Sequence, residues 1–138
     1  MFAKESRFLI IDDMSSIRDF VHASLKSLGY ENILEAPDGV IAIEILKKQS
    51  RNGAPIDVIL CDWNMPKLMG IDLLRQIREA PEWEFVPFIM ITTESEKSQI
   101  LQAISSGVTD YIVKPFSVSV LQQKLLAAYK RSLANPSR

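Results

Sequence analysis

Two adjacent aspartates, Asp12 and Asp13, end the apolar run Phe8-Leu9-Ile10-Ile11. Like charges held side by side repel, and each raises the other's pKa. Either the pair is simply solvated, or a cation offsets the repulsion. A third aspartate, Asp62, closes another apolar run, Val58–Cys61. Two further runs end in Thr92 and in Lys114-Pro115. The threonine hydroxyl donates or accepts a hydrogen bond. The lysine ammonium is a point charge suited to a phosphoryl oxygen. Three converging carboxylates need a cation, and hard oxygen ligands suit Mg²⁺. Each group also has a plain reading taken alone. Aspartate is a common helix N-cap, threonine often ends a strand, and lysine is usually solvated. Three acids, a hydroxyl and a lysine at four run ends are much harder to explain separately.

The elements that must position these groups follow from hydrophobic pattern. Short apolar runs at Phe8–Ile11, Ile33–Ala36, Val58–Cys61, Phe88–Ile91 and Tyr111–Val113 suit buried strands. Helix-period segments lie between them. Ile17, Val21, Leu25 and Leu28 make one face, with Gly29 as its C-terminal stop. Ile41 and Ile45 make the next, behind Asp38 as N-cap. Leu73, Leu74 and Ile77 follow, then Ile100, Leu101 and Ile104 before Gly107, then Leu121, Leu125 and Ala128. Strict alternation of strand and helix predicts an α/β fold, with a parallel sheet covered on both faces and right-handed crossovers. Such sheets bind ligands beyond the carboxyl ends of their strands. The acids, Thr92 and Lys114 all fall at those ends.

Composition narrows the class. With 138 residues the chain suits one domain with a real core. Lys and Arg number 16 against 17 Asp and Glu, so charge offers no general argument for nucleic acid or an anionic membrane. No apolar run approaches the roughly 18 residues of a spanning helix. The single cysteine, Cys61, cannot form an internal disulfide and reads as a small buried hydrophobe. A cytoplasmic setting is expected. Trp63 reads as a partly exposed loop aromatic, Tyr111 as a half-buried strand aromatic, and His22 as a boundary residue without a metal-spaced partner. The polar tail 135–138 is expected to fray.

The motifs "FLIIDDMSSIR", "EAPDGVIAIEIL", "CDWNMPKLMGIDLLRQIR", "IMITTESEK" and "GVTDYIVKPF" run in order through nearly the whole chain. Together they resemble the receiver domain of two-component response regulators, and within that family the single-domain, CheY-like chemotaxis members. The resemblance implies a flavodoxin-like, doubly wound five-stranded parallel sheet, strand order 2-1-3-4-5, with five helices. The chain is then one receiver over 1–138, with a core of about 6–130. By position, Asp62 matches the phospho-acceptor, Asp12 and Asp13 the Mg²⁺-holding pair, and Asn64 the residue whose backbone carbonyl ligates the metal. Thr92 matches the switch hydroxyl, Tyr111 the switch aromatic, and Lys114 the phosphate-binding lysine of a cis Lys–Pro pair. Two positions depart from the pattern. Thr93 stands where chemotaxis members commonly carry alanine, and Met69 where many receivers place Asp or Asn before the glycine.

The resemblance implies a signalling switch that takes a phosphoryl group from a sensor histidine kinase (CheA-like), rather than an enzyme with an outside substrate. The implied output partner is the flagellar motor switch protein, docking on helix four, strand five and helix five. Residues Ile100, Gln102, Tyr111, Val113, Gln122 and Lys124 would form that face. A receiver serving another phosphorelay or transcription control is the alternative. Two other classes fit less well. Phosphatases with a strand-terminal aspartate nucleophile carry a second aspartate two residues on, where this chain has Asn64. Flavin-binding relatives need a Ser/Thr/Gly-rich phosphate loop where this chain has Asp12-Asp13.

Overall fold

Each of the five apolar runs is a strand, and the five pair in parallel in the order β2-β1-β3-β4-β5. The structure, a computed structural model, describes residues 1–93 and 97–134. The tail 135–138 and residues 94–96 of the "TTESEK" stretch lie outside that description. The strands are β1 (Arg7–Ile11), β2 (Asn32–Ala36), β3 (Val58–Asp62), β4 (Phe88–Thr92) and β5 (Asp110–Val113). The helices are α1 (Ser15–Ser27), α2 (Gly39–Arg51), α3 (Gly70–Glu79), α4 (Lys97–Ser105) and α5 (Val118–Leu133).

Alternation along the strands builds two cores, because successive side chains point to opposite faces. Phe8, Ile10, Val58, Leu60, Ile89 and Ile91 pack with Val21 and Leu25 of α1 and Leu121, Leu125 and Ala128 of α5. Leu9, Ile11, Ile59, Cys61 and Met90 face the other way, onto Ala42 and Leu46 of α2 and Leu73, Leu74 and Ile77 of α3. The central strands β3 and β4 are buried along their whole length, so both need apolar residues on both faces. None of the described helices is long and apolar enough to cross a membrane.

Helix ends follow the expected chemistry. Asp38 accepts a hydrogen bond from Ile41 N–H at 2.9 Å and caps α2. Gly29 ends α1 at φ +98°, a conformation glycine adopts without a Cβ penalty. Two helix faces differ from the periodic reading. In α2 the fully buried positions are Ala42 and Leu46, while Ile41 and Ile45 are half-buried. In α4 Ala103 is buried, whereas Leu101 and Ile104 are 54% and 58% exposed. The short α4 touches the sheet along the line of Ala103, a small residue that permits close approach. Its larger apolar residues are thereby turned outward.

The loop from β3 to α3 passes close under its own strand end. Gly70 N–H donates to Trp63 O at 2.8 Å. A Cβ at Gly70 would stand 2.1 Å from the backbone oxygen of Asp62. Glycine here serves close approach rather than a special φ. Lys67, at φ +68°, makes the turn where Met69 replaces the usual polar residue, and its ammonium lies 3.5 Å from Asp38. Gly70→Ala is expected to destabilise the fold by about 1–3 kcal/mol through overpacking. A lowered urea midpoint with an unchanged slope is the expected readout.

Candidate functional site

The β1–β3 register pairs Ile11 with Cys61, so Asp12 and Asp62 leave neighbouring strand ends side by side. Carboxylate oxygens of Asp12, Asp13 and Asp62 lie within 4.8 Å of one another. Asp12 and Asp62 are buried, and Asp13 is exposed. Lys114, from the end of β5, reaches across the edge of the sheet. Its Nζ stands 3.0 Å from Asp12 Oδ2 and 3.3 Å from Asp62 Oδ1. The Lys114–Pro115 peptide is cis, and Lys114 N–H donates to Thr92 O at 2.8 Å. Asp12 Oδ1 accepts from Met14 N–H, and Asp62 Oδ1 from Trp63 N–H.

Burial pushes the Asp62 carboxyl above the usual carboxylate range, and the charge of Asp12 pushes it further. The Lys114 ammonium and the Trp63 N–H act in the opposite direction without restoring the ordinary value. Burial likewise pushes the Cys61 thiol well up, which suits an inert core residue. One ammonium therefore faces three carboxylates. Hard oxygen donors carrying excess negative charge are a donor set that fits a small divalent cation.

Thr92 and Tyr111 meet elsewhere, at a small apolar cavity lined also by Trp63, Met90, Gln99 and Ala103. Thr92 is buried, and Tyr111 is half-buried as expected of a strand aromatic. Lys124 Nζ lies 5.3 Å from the Tyr111 ring centroid. Gln99 Oε1, in the same lining, is a buried acceptor with no donor among the described residues. Asn64 is exposed in the loop after Asp62. Thr93 lines an apolar hollow beside Lys114 with Met14, Ile17, Phe20 and Phe116.

One residue differs from its sequence reading. Trp63 is buried rather than loop-exposed, because it packs under the β3–α3 loop with the α3 core. His22 is half-buried, as a boundary residue should be, and its Nδ1 lies 2.8 Å from Glu35 Oε2. Arg18 was not anticipated at all. Its Nε donates to Glu35 Oε1 at 3.1 Å and its Nη1 to Asp12 O at 2.6 Å. A faint signal was available. Glu35 is the one charged residue in the run Ile33–Ala36, and Arg18 and His22 are one helical turn apart.

A family model for the response regulator receiver domain matches residues 8–126. The chain belongs to the response regulator receiver family. This receiver is 42% identical over 128 residues to chemotaxis protein CheY-3 of Vibrio cholerae, covering 93% of this chain and 95% of that protein. Among solved structures, V. cholerae CheY4 superposes with a TM-score of 0.78 at 33% identity, covering 90% of this chain and 98% of that one. The receiver domain of the sensor histidine kinase PA1611 of Pseudomonas aeruginosa, solved with a magnesium ion in its active-site cleft, superposes with a TM-score of 0.77. It is 27% identical, over 95% of this receiver and 99% of that chain. The flavodoxin-like fold and strand order implied by resemblance are those of the structure.

The raised Asp62 carboxyl links stability to pH. Its proton is held more tightly in the folded chain than in the unfolded one. Stability is therefore fully present below the ordinary carboxylate range and falls as pH rises through the raised value. In EDTA, Asp62→Asn is expected to be more stable than the wild type at neutral pH. The gap should close in acid, as read from denaturation midpoints across a pH series.

Proposed function

We propose that this receiver is a cytoplasmic switch, with a core of about 6–130, that is phosphorylated on Asp62 in the presence of Mg²⁺. The observation that carries the reading is Lys114 straddling Asp12 and Asp62 at adjacent strand ends. A carboxylate oxygen of Asp62 attacks phosphorus on a phosphohistidine or a small phosphodonor. The new O–P bond forms as the donor's bond to phosphorus breaks, and the donor keeps that electron pair. The product is an acyl phosphate.

Such transfer asks chiefly for alignment and charge neutralisation. Asp12, Asp13, Asp62 and the backbone carbonyl of Asn64 would hold Mg²⁺. When bound, the ion neutralises phosphoryl charge and orients the phosphoryl group. Lys114 exchanges its contacts with Asp12 and Asp62 for a phosphoryl oxygen. Burial of Asp62 restricts water at the acyl phosphate. Thr92 then turns its hydroxyl toward the phosphoryl group, and Tyr111 turns into the cavity they share, where Gln99 Oε1 offers its hydroxyl an acceptor. These movements shift a two-state equilibrium.

The change is read on the face formed by α4, β5 and α5. Leu101, Ile104 and Val113 are already exposed there, beside Tyr111 and Lys124. A CheA-like histidine kinase is the proposed donor. The flagellar motor switch protein is the proposed target, supported by similarity to CheY-3 over 95% of that relative's length. Asn64, where aspartate-based phosphatases carry an acid, supports a switch that catalyses only its own phosphorylation and dephosphorylation.

Incubation with Mg²⁺ and acetyl phosphate should add one phosphoryl group by intact mass, and Asp62→Asn should add none. Lys114→Ala should slow adduct formation by about 10²-fold, the usual scale for losing one charge-stabilising donor. Passed over immobilised motor switch protein, the phosphorylated sample should be retained more than the unmodified one. An equal adduct on Asp62→Asn would contradict the assignment. Equal retention would favour another output pathway.

A further inference from the structure

Asp12 must hold its place while Lys114 leaves it for a phosphoryl group. Among the described residues, its carboxylate would then keep only the Met14 N–H. The backbone of Asp12 is held by β2 on one side and by Arg18 of α1 on the other. Its N–H donates to Ala36 O at 3.2 Å. Its carbonyl accepts from Arg18 Nη1, and the same guanidinium grips Glu35, the residue before Ala36. His22 Nδ1, carrying its proton, holds the second oxygen of Glu35 at 2.8 Å. Asp12, Arg18, Glu35 and Ala36 thus close a ring of hydrogen bonds just past the end of the β1–β2 ladder. The Arg18 and Glu35 side chains are 18% and 30% exposed, so the pair is partly shielded from water.

We infer that Arg18, clamped by Glu35, is a positioning residue that aims the Asp12 carboxylate at the divalent ion. The inference rests on the Mg²⁺ reading above. Charge alone argues for the opposite effect. A guanidinium bonded to the Asp12 carbonyl puts positive charge near the acid cluster and weakens cation binding by repulsion, so its removal would tighten Mg²⁺ if charge were all that mattered. Loss of aim weakens binding instead. Groups that orient metal ligands are commonly worth 10–100-fold in affinity. Lysine does not replace the device, because a single ammonium lacks the planar fork that reaches both the Asp12 carbonyl and Glu35.

The test is calorimetric titration of Mg²⁺ into the wild type, Arg18→Ala, Arg18→Lys and Arg18→Ala/Glu35→Ala, with folding confirmed by circular dichroism. Arg18→Ala is expected to weaken Mg²⁺ binding about tenfold. Arg18→Lys should weaken it nearly as much despite keeping the charge. Adding Glu35→Ala should cost little more, since the two residues act as one unit. Affinity equal to or tighter than wild type in Arg18→Ala or Arg18→Lys would overturn the role and leave the Mg²⁺ site standing. Absence of Mg²⁺ binding in the wild type would overturn both.

Discussion

The rest of the molecule depends on the placement of two buried carboxylates at adjacent ends of parallel strands. Pairing of Ile11 with Cys61 makes that unavoidable for Asp12 and Asp62. Buried like charges are unfavourable, and one lysine from β5 offsets only part of the repulsion. Burial first, and the charge of Asp12 second, keep the Asp62 carboxyl raised. A site of this kind gains from a divalent cation and from a group that Lys114 can contact in exchange. Proposed phosphorylation supplies that group, so the chemistry resolves a conflict already present in the fold.

The opposite pole of the sheet is built differently. Arg78 donates to the backbone oxygens of Gly107, Trp83, Glu84 and Val86 and to Thr109 Oγ1, tying together the loops that precede β4 and β5. Asp110 is held by Lys124 and Arg131, and Arg131 also donates to Thr109 O. Arg78, Lys124, Arg131 and Asp110 are each paired there with an opposite charge or with a carbonyl. At the carboxyl ends of the strands, by contrast, three carboxylates cluster within 4.8 Å of one another. Anchoring and chemistry are thus separated, as expected where a rigid scaffold presents functional loops.

Much of this was legible in the sequence, for identifiable reasons. Abrupt changes from apolar to polar mark the strand ends, so the positions of Asp12, Asp62, Thr92 and Lys114 follow from the residue pattern. Caps at Asp38 and Gly29 carried their own local chemistry. Strand order came only through family resemblance, since no local signal tells β1 to lie between β2 and β3. What periodicity misjudged depends on tertiary geometry. Leu101 and Ile104 look like core until Ala103 is seen to set the approach of α4. Trp63 looks like an exposed loop residue until Gly70 lets the loop close over it. The Arg18–Glu35–His22 chain joins a helix to a strand: the spacing of Arg18 and His22 hints at a shared partner, but only the fold brings Glu35 to them.

The claim at the centre is that one carboxylate in the crowded cluster, Asp62, takes the phosphoryl group. Borohydride reduces an acyl phosphate to an alcohol, marking the residue that carried it. After phosphorylation with acetyl phosphate and Mg²⁺, reduction and peptide mass analysis should find that conversion at position 62 alone. Conversion at Asp12 or Asp13, or phosphate retained on a serine or threonine with residue 62 intact, would contradict the account.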